Sequence, residues 1–466
     1  MLTTRSRAFD SAFLMSATTG TPVGGPAGDR VTTDSRGDVS GALFVALSGE
    51  RFDGHDFVEA ALERGAGGAL VSASWWGSRA GAVQAAGAFF VVPDTLLALQ
   101  DLARAHRARF TLPVAAVTGS NGKTTTKELL AAALSPLGEV LRTQGNLNNH
   151  IGVPLTLLGL TAGHRAAVVE MGLNHPGELR LLSRLARPRV AIITNAEAAH
   201  LEGLGSLEGV ARAKAEIAEG LEPGGVLLLP HGHQGLETAL RAYRGRRLTF
   251  GMDPGADVHP LRVESRGLEG VTVHLPDGAE LRTALLGEHA ALNLLAAVAA
   301  AQALGVAPAE AAAAVGSVRA ARGRLCPRRA GGVVVLDDSY NANPASLAAA
   351  LGLLRRLPGA GRRWAILGEM RELGPAEAAL HREAGSSAAF LDGLVVVGGL
   401  GMALAEGAVA AGLDPGRVRA AAAGEEAAAM LLPDLLAGDV VLVKASRAMR
   451  LETAVDALLA GLGGEG

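Results

Sequence analysis

The chain predicts an α/β protein of three domains, with a mainly parallel sheet in the middle domain and a Rossmann-like last domain. Three observations carry this. Its 466 residues, at about 150 per domain, give roughly three domains. Short Val-rich runs alternate with Ala-rich amphipathic stretches almost throughout, which is the pattern of βαβ units. Segment 316–332 breaks that pattern, with Arg319, Arg322, Arg324, Arg328 and Arg329 among scattered glycines and one proline. It reads as an interdomain connection, and the domains are set at 1–108, 109–318 and 319–466.

Each block then supplies its elements in order. The first holds the apolar run 42–47, the turn 49–54 and a helical stretch near 56–64. The second opens on a buried strand at 113–117, and further strands are expected at 166–171, 190–194 and 225–229. The third carries four buried-type strands, 333–337, 364–367, 394–397 and 440–443, separated by helical segments as in a small doubly wound domain.

Composition narrows the function. The chain is 49% apolar and 19% charged, enough to bury sizeable cores. Its 43 basic and 46 acidic residues leave a net charge of −3, without the basic excess of a nucleic-acid binder. The single cysteine, Cys326, excludes an intramolecular disulfide and a Cys-based zinc cluster. Arg5 and Arg7 precede an apolar stretch that Asp10 breaks, too short for a signal-peptide core. The longest Ala/Leu run, 294–301, falls far short of the roughly 20 residues that span a bilayer. A cytoplasmic protein without membrane insertion is expected.

The strongest motif follows the strand ending at Val117. Thr118, Gly119, Ser120, Asn121, Gly122, Lys123, Thr124 and Thr125 form a Gly-rich loop before a helical stretch. Glycines let backbone N–H groups approach phosphate oxygens, and the helix N-terminus adds partial positive charge. Lys123 supplies a full charge at the outer phosphates, and the Thr124 hydroxyl can ligate Mg²⁺. Only Ser120 and Asn121 separate Gly119 from Gly122, so the loop is shorter than the common P-loop.

This loop resembles the shortened ATP loop of the Mur ligase superfamily, shared with folylpolyglutamate synthetases. Further motifs are similar to one branch: GNLNNHIGVPLTLL at 145–158, VVEMGLNHPGE at 168–178, LDDSYNANPASL at 336–347, ILGEMRELG at 366–374 and VLVKASR at 441–447. That branch joins D-alanyl-D-alanine to a UDP-N-acetylmuramoyl-tripeptide, giving a peptidoglycan precursor. The resemblance implies an N-terminal UDP-substrate domain, a central ATPase domain and an ATP-dependent reaction through an acyl phosphate. It also implies a monomer.

The resemblance assigns roles that residue type alone leaves open. Glu170, by itself an ordinary carboxylate at a strand end, becomes a Mg²⁺ ligand. His200, otherwise a structural histidine, becomes a second one. Lys214 lies 14 residues after His200; it is either a solvated lysine or, as in related ligases, an N-carboxylated one that holds metal. Asn293 matches a residue on the adenine, Arg324 one near the ATP phosphates, and Asp338 one on the ribose. Tyr340, Asn341, Asn343, Lys444, Ser446 and Arg447 are implied at the dipeptide. Ser35 and Arg36 are implied at the UDP sugar, and Asn146, Asn148 and Asn149 at the muramyl peptide; each of these segments is otherwise an ordinary turn.

Folylpolyglutamate synthetase is the nearest rival, and the NLNNHIGVP and DDSYNANP motifs argue against it. The diaminopimelate-adding ligase carries Asp-Asn-Pro-Arg, whereas here Asn343 and Pro344 are followed by Ala345. A non-catalytic P-loop switch would not need Lys123, Thr124, Glu170 and His200 together.

Overall fold

The computed structural model describes residues 8–49, 52–78 and 87–463. Glu50 and Arg51 of the first turn, and Arg5 and Arg7, lie outside the described residues. No helix among the described residues is long and apolar enough to cross a membrane.

The first block is a five-stranded sheet in the order Thr21–Val23, Phe89–Val92, Gly68–Ser72, Ala42–Val45, Arg30–Thr32. Only the Thr21–Val23 edge runs antiparallel. The helix Thr95–Ala108, capped by Asp94 through its bonds from Leu96 N and Leu97 N, leads out of it. Its apolar face and the buried sheet residues Leu43, Val45, Leu70 and Phe90 join one continuous core with Val114, Ala116, Val169 and Leu182 of the second block.

The second block holds a six-stranded sheet ordered Arg246–Phe250, Val226–Pro230, Val190–Ile193, Val114–Thr118, His164–Glu170, Glu139–Arg142. Every pairing is parallel. The four inner strands are those the Val-rich runs predict. The two edges and a three-stranded antiparallel sheet (Arg262–Ser265, Val271–His274, Glu280–Thr283) were not expected, because their residues alternate with polar ones. The Ala/Leu run lies in the helix Glu288–Ala303, which packs beside Lys123–Leu134 under the sheet. That position buries Leu294 through Ala301 and explains a helix without a polar face.

The third block is a six-stranded sheet ordered Cys326–Ala330, Val333–Asp338, Val440–Lys444, Arg363–Gly368, Gly393–Val397, Val418–Ala421. The stretch 316–332 is therefore a connection only in its first half. Cys326–Ala330 pairs antiparallel with Val333–Asp338 through Gly331 and Gly332, at φ +55° and +76°, the left-handed values a two-residue hairpin requires. Pro327, Arg328 and Arg329 disguise it, and an edge strand tolerates them.

Asp439 ties this sheet together. Its carboxylate, 4% exposed, accepts from Arg362 N (3.1 Å) and Nη2 (2.7 Å), Trp364 Nε1 (3.1 Å) and Leu436 N (2.9 Å). Burial alone would raise its pKa, but the bonds from Arg362, Leu436 and Trp364 outweigh it and hold the carboxyl below the usual range. Asp439→Ala leaves Trp364 Nε1 buried without its acceptor, and we expect a loss of about 3 kcal/mol by denaturant titration at neutral pH. The folded pKa lies below the unfolded one, so this stabilisation is present above the ordinary aspartate value and is lost as pH falls through the folded value. The gap between wild type and variant should narrow accordingly in acid.

Candidate active site

The loop between Val114–Thr118 and Lys123–Leu134 faces a cleft of about 620 Å³ between the second and third blocks. Two glycines make it possible. A Cβ on Gly119 would lie 1.7 Å from Thr194 Oγ1, and one on Gly122, at φ +78°, would lie 2.6 Å from Asn293 Oδ1. The loop thus rests against a neighbouring strand end and the Glu288–Ala303 helix with no room for side chains. Asn195 fixes it further, its Oδ1 accepting from Asn121 N at 2.9 Å. Ser120 Oγ donates to Glu197 O at 2.8 Å.

Lys123 Nζ donates to Gly119 O (2.8 Å) and Ser120 O (3.3 Å) of its own loop. Burial lowers its pKa, Glu170 opposes the shift and Arg324 adds to it, leaving the ammonium at about 8. Lys214, 1% exposed in the helix Leu207–Ala215, is held well below the ordinary lysine value by burial and then by the charge of Lys123. Arg324 stacks 3.9 Å over the Tyr340 ring and donates from Nη2 to Thr124 Oγ1 at 3.4 Å.

Glu170 ends the strand His164–Glu170 at 2% exposure. Its Oε1 accepts from Asn148 Nδ2 at 2.8 Å, and its buried Oε2 has no partner. A free carboxylate oxygen on a cleft lined by cations is a donor suited to a hard ion such as Mg²⁺. Among the described residues no three His, Cys, Asp or Glu side chains converge as a ready-made metal site. Mg²⁺ normally takes one or two protein carboxylates and fills its shell with phosphate oxygens and water, so the residues present fit it.

The cleft brings together Ser120, Asn121, Gly122, Lys123, Thr125, Glu170, His200, Asn293, Arg324 and Asp338 of the expected nucleotide and metal set. It also gathers Asn146, Asn148, Asn149, Tyr340, Asn341 and Lys444 of the expected substrate set. Thr118, Gly119, Thr124 and Lys214 are not among its lining residues; Thr118 and Lys214 are buried, and Thr124 reaches it only through its bond with Arg324. Arg447 stands off to one side, paired with Glu452 at 3.0 Å and 5.6 Å from the Tyr340 ring. Ser35 and Arg36 lie in the first block, away from this cleft. Arg36 forks onto Asp34 at 2.9 Å, and Arg64 holds the Ser35 and Gly37 carbonyls.

Two expected ligands are engaged by protein. Asp338 Oδ2 accepts from Lys444 Nζ at 2.6 Å. His200 Nδ1 pairs with the Glu372 carboxylate across the domain junction. Sequence reasoning missed Glu372, Asn195 and His289, which line the same cleft. His289 is pushed down by burial against the opposing pull of Asp338. It sits four residues before Asn293 on one helix face, a spacing that could have pointed to it.

The chain matches the Mur ligase family model for the catalytic domain over residues 29–107, the middle-domain model over 117–301 and the glutamate ligase domain model over 322–447. It is 39% identical over 435 residues to the UDP-N-acetylmuramoyl-tripeptide–D-alanyl-D-alanine ligase of Bacillus subtilis, covering 92% of this chain and 93% of that one. This chain is a Mur ligase. The Escherichia coli ligase of the same name is 40% identical over 379 residues, covering 79% of this Mur ligase and 81% of its relative. The crystal structure of MurF from Acinetobacter baumannii superposes with a TM-score of 0.86 at 34% identity, covering 97% and 99% of the two chains. MurF from Thermotoga maritima in complex with ADP gives 0.79 at 29% identity, over 93% and 98%.

The loop geometry yields a test. In Gly119→Ala the new methyl displaces either Thr194 or the loop, and we expect ADP affinity by calorimetry to fall about tenfold or more. The urea midpoint should fall far less, because the strand and helix cores are untouched.

Proposed function

We propose that this Mur ligase joins D-alanyl-D-alanine to the terminal carboxylate of UDP-N-acetylmuramoyl-tripeptide at the expense of ATP, and that the cleft described above is where it does so. The observation that carries the reading is the half-buried pair of cations Lys123 and Arg324, which line one cleft with Glu170, whose Oε2 has no partner. It belongs to a chain that aligns over nearly its whole length with relatives of that name.

A carboxylate repels an attacking amine, and phosphorylation turns it into an acyl phosphate with a good leaving group. Phosphoryl transfer asks for alignment and charge neutralisation rather than covalent help. Lys123 and the loop N–H groups hold the outer phosphates, with Gly119 and Gly122 allowing their approach, Thr118 anchoring the loop at the strand end through Thr194 N, and Ser120, Asn121 and Thr125 shaping the rim. Arg324, stiffened by Tyr340, carries charge from the third block onto the transferring group. Glu170 and Thr124 would hold Mg²⁺, with His200 and Lys214 completing the set; bound there, the ion would offset phosphate charge. Asn293 and Asp338 take the adenosine end. Asn146, Asn148 and Asn149 take the peptide, Ser35 and Arg36 the UDP sugar, and Tyr340, Asn341, Lys444 and Arg447 the dipeptide.

Lys214 has the setting for N-carboxylation. A buried lysine beside Lys123 is a repelled cation, whereas its carbamate is an attracted anion. Carbamylation consumes the neutral amine, so the modified fraction should rise with pH and with bicarbonate. Intact-protein mass measured in bicarbonate buffer should show a labile carboxyl adduct that Lys214→Ala lacks; its absence from wild type at every pH excludes the modification. The same reading takes the domains as 1–108, 109–318 and 319–466, acting as a monomer in the cytoplasm.

Phosphate release tests the whole assignment. It should require ATP, the UDP-muramyl tripeptide and D-alanyl-D-alanine together, and Lys123→Ala should lower it by about 10²-fold or more. Release without either peptide substrate would indicate a nucleotide switch instead.

A further inference from the structure

Two polar pairs join the third block to the rim of the cleft, each linking a residue of the expected nucleotide or metal set to a side chain of the third block. Asn343 Nδ2 donates to Asn121 Oδ1 at 2.8 Å, and Asn121 Nδ2 donates back to Asn343 Oδ1 at 3.2 Å. Asn121 sits at the centre of the phosphate loop. Asn343 is 7% exposed and also caps the helix Pro344–Arg356, its Oδ1 accepting from Ser346 N at 2.9 Å while its own N donates to Ser346 Oγ at 3.0 Å. One side chain therefore holds a helix start and the loop of another domain at once.

The second pair is His200 with Glu372. Both residues hold left-handed backbone, at φ +56° and +65°, a conformation uncommon for residues with side chains. Glu202 N also donates to Glu372 O at 3.3 Å, so the Glu372 turn meets His200 through backbone and side chain alike. The bond at Nδ1 fixes the ring plane and leaves Nε2 directed away from the carboxylate, the arrangement in which a carboxylate orients a ligating imidazole.

We propose that Asn343 and Glu372 are positioning residues for the ligation, a two-point clasp by which the third block sets the phosphate loop through Asn121 and the imidazole plane of His200. The clasp rests on the reading of the cleft as the ligation site. Neither residue need touch a substrate. Their effect is on when the site is assembled: loop and imidazole reach their working orientation only with the third block seated. The reciprocal amide pair and the carboxylate–imidazole pair consist of exchangeable hydrogen bonds, so the seated state can open to admit and release peptides.

The two functions of Asn343 can be separated. Asn343→Ser keeps a good N-cap and cannot bridge to Asn121. Glu372→Ala removes the second point, and Glu372→Gln restores an acceptor for His200 Nδ1. Domain seating is read by energy transfer between fluorophores on Leu207→Cys and Met402→Cys, 53% and 47% exposed, in a Cys326→Ser background. We expect Asn343→Ser and Glu372→Ala to lower transfer efficiency and to reduce kcat about tenfold. KM for ATP and the thermal midpoint should stay near wild type, and Glu372→Gln should recover most of both losses. Wild-type kcat and transfer in both variants would overturn the clasp, as would a kcat loss accompanied by unchanged transfer and a lowered midpoint, which marks a purely structural role. If wild type itself forms no pentapeptide nucleotide, the ligase reading fails, while the transfer measurement still decides whether the clasp exists.

Discussion

An excess of positive charge gathered at the phosphate loop governs this molecule. Lys123, Lys214 and Arg324 act on one another within a site whose nearby carboxylate is Glu170. The counter-charges at Lys123 Nζ are the carbonyls of Gly119 and Ser120, which are only partial. Loss of water around them, and then the neighbouring positive charge, makes both lysines release protons more readily than usual. Lys123 and Arg324 face the cleft while Lys214 lies buried out of it, so a polyanion entering the cleft would meet the first two. The tight glycines follow from the same need, since a loop that must wrap phosphates cannot carry side chains where its neighbours press against it.

The placement of the cations decides what moves. The first and second blocks share one apolar core running from Phe9 and Phe90 to Leu182 and Leu185. Separating them would expose that core to water, so they behave as one unit. The third block has two cores on the faces of its sheet, one of which takes in Leu286 of the second block. It meets the cleft through polar groups: Asn343 with Asn121, Glu372 with His200, and Arg324 with Thr124. Such contacts exchange for water at little net free energy. Within the cleft, the third block is therefore held by bonds that water can replace.

How much of this could be read beforehand follows a physical division. Buried parallel strands are continuous Val- and Leu-rich runs, so the inner strands of the second and third sheets were legible. Edge strands bury one face or less and alternate with charge, so Arg246–Phe250 and Cys326–Ala330 were not. At the cleft, residues whose chemistry is fixed by local backbone were legible: the glycine loop, Lys123, and Glu170 at a strand end. Their partners across the junction were not, because Glu372 lies 172 positions from His200 and Asn343 lies 222 from Asn121. No local spacing encodes such a meeting. Lys214 illustrates both sides: its helix was legible, but its near-complete burial, which makes it chemically unusual, depends on the whole packed domain.

Asp338 and Lys444 show why residue roles here cannot be read one at a time. They stand opposite each other in the register of adjacent parallel strands, so the 2.6 Å pair follows from sheet pairing itself. Lys444 is 3% exposed and also donates to Asn341 O at 2.9 Å. Asp338 in turn accepts from Leu325 N at 3.0 Å, the residue next to Arg324. A carboxylate assigned to the nucleotide is thus tied to a lysine assigned to the dipeptide and to the backbone beside the phosphate-facing arginine. Removing Asp338 strands a buried ammonium, an effect far larger than the loss of a single ligand contact. The sheet register makes Asp338, Lys444, the Asn341 carbonyl and the backbone beside Arg324 one polar network, so a displacement at one of these groups is felt at the others.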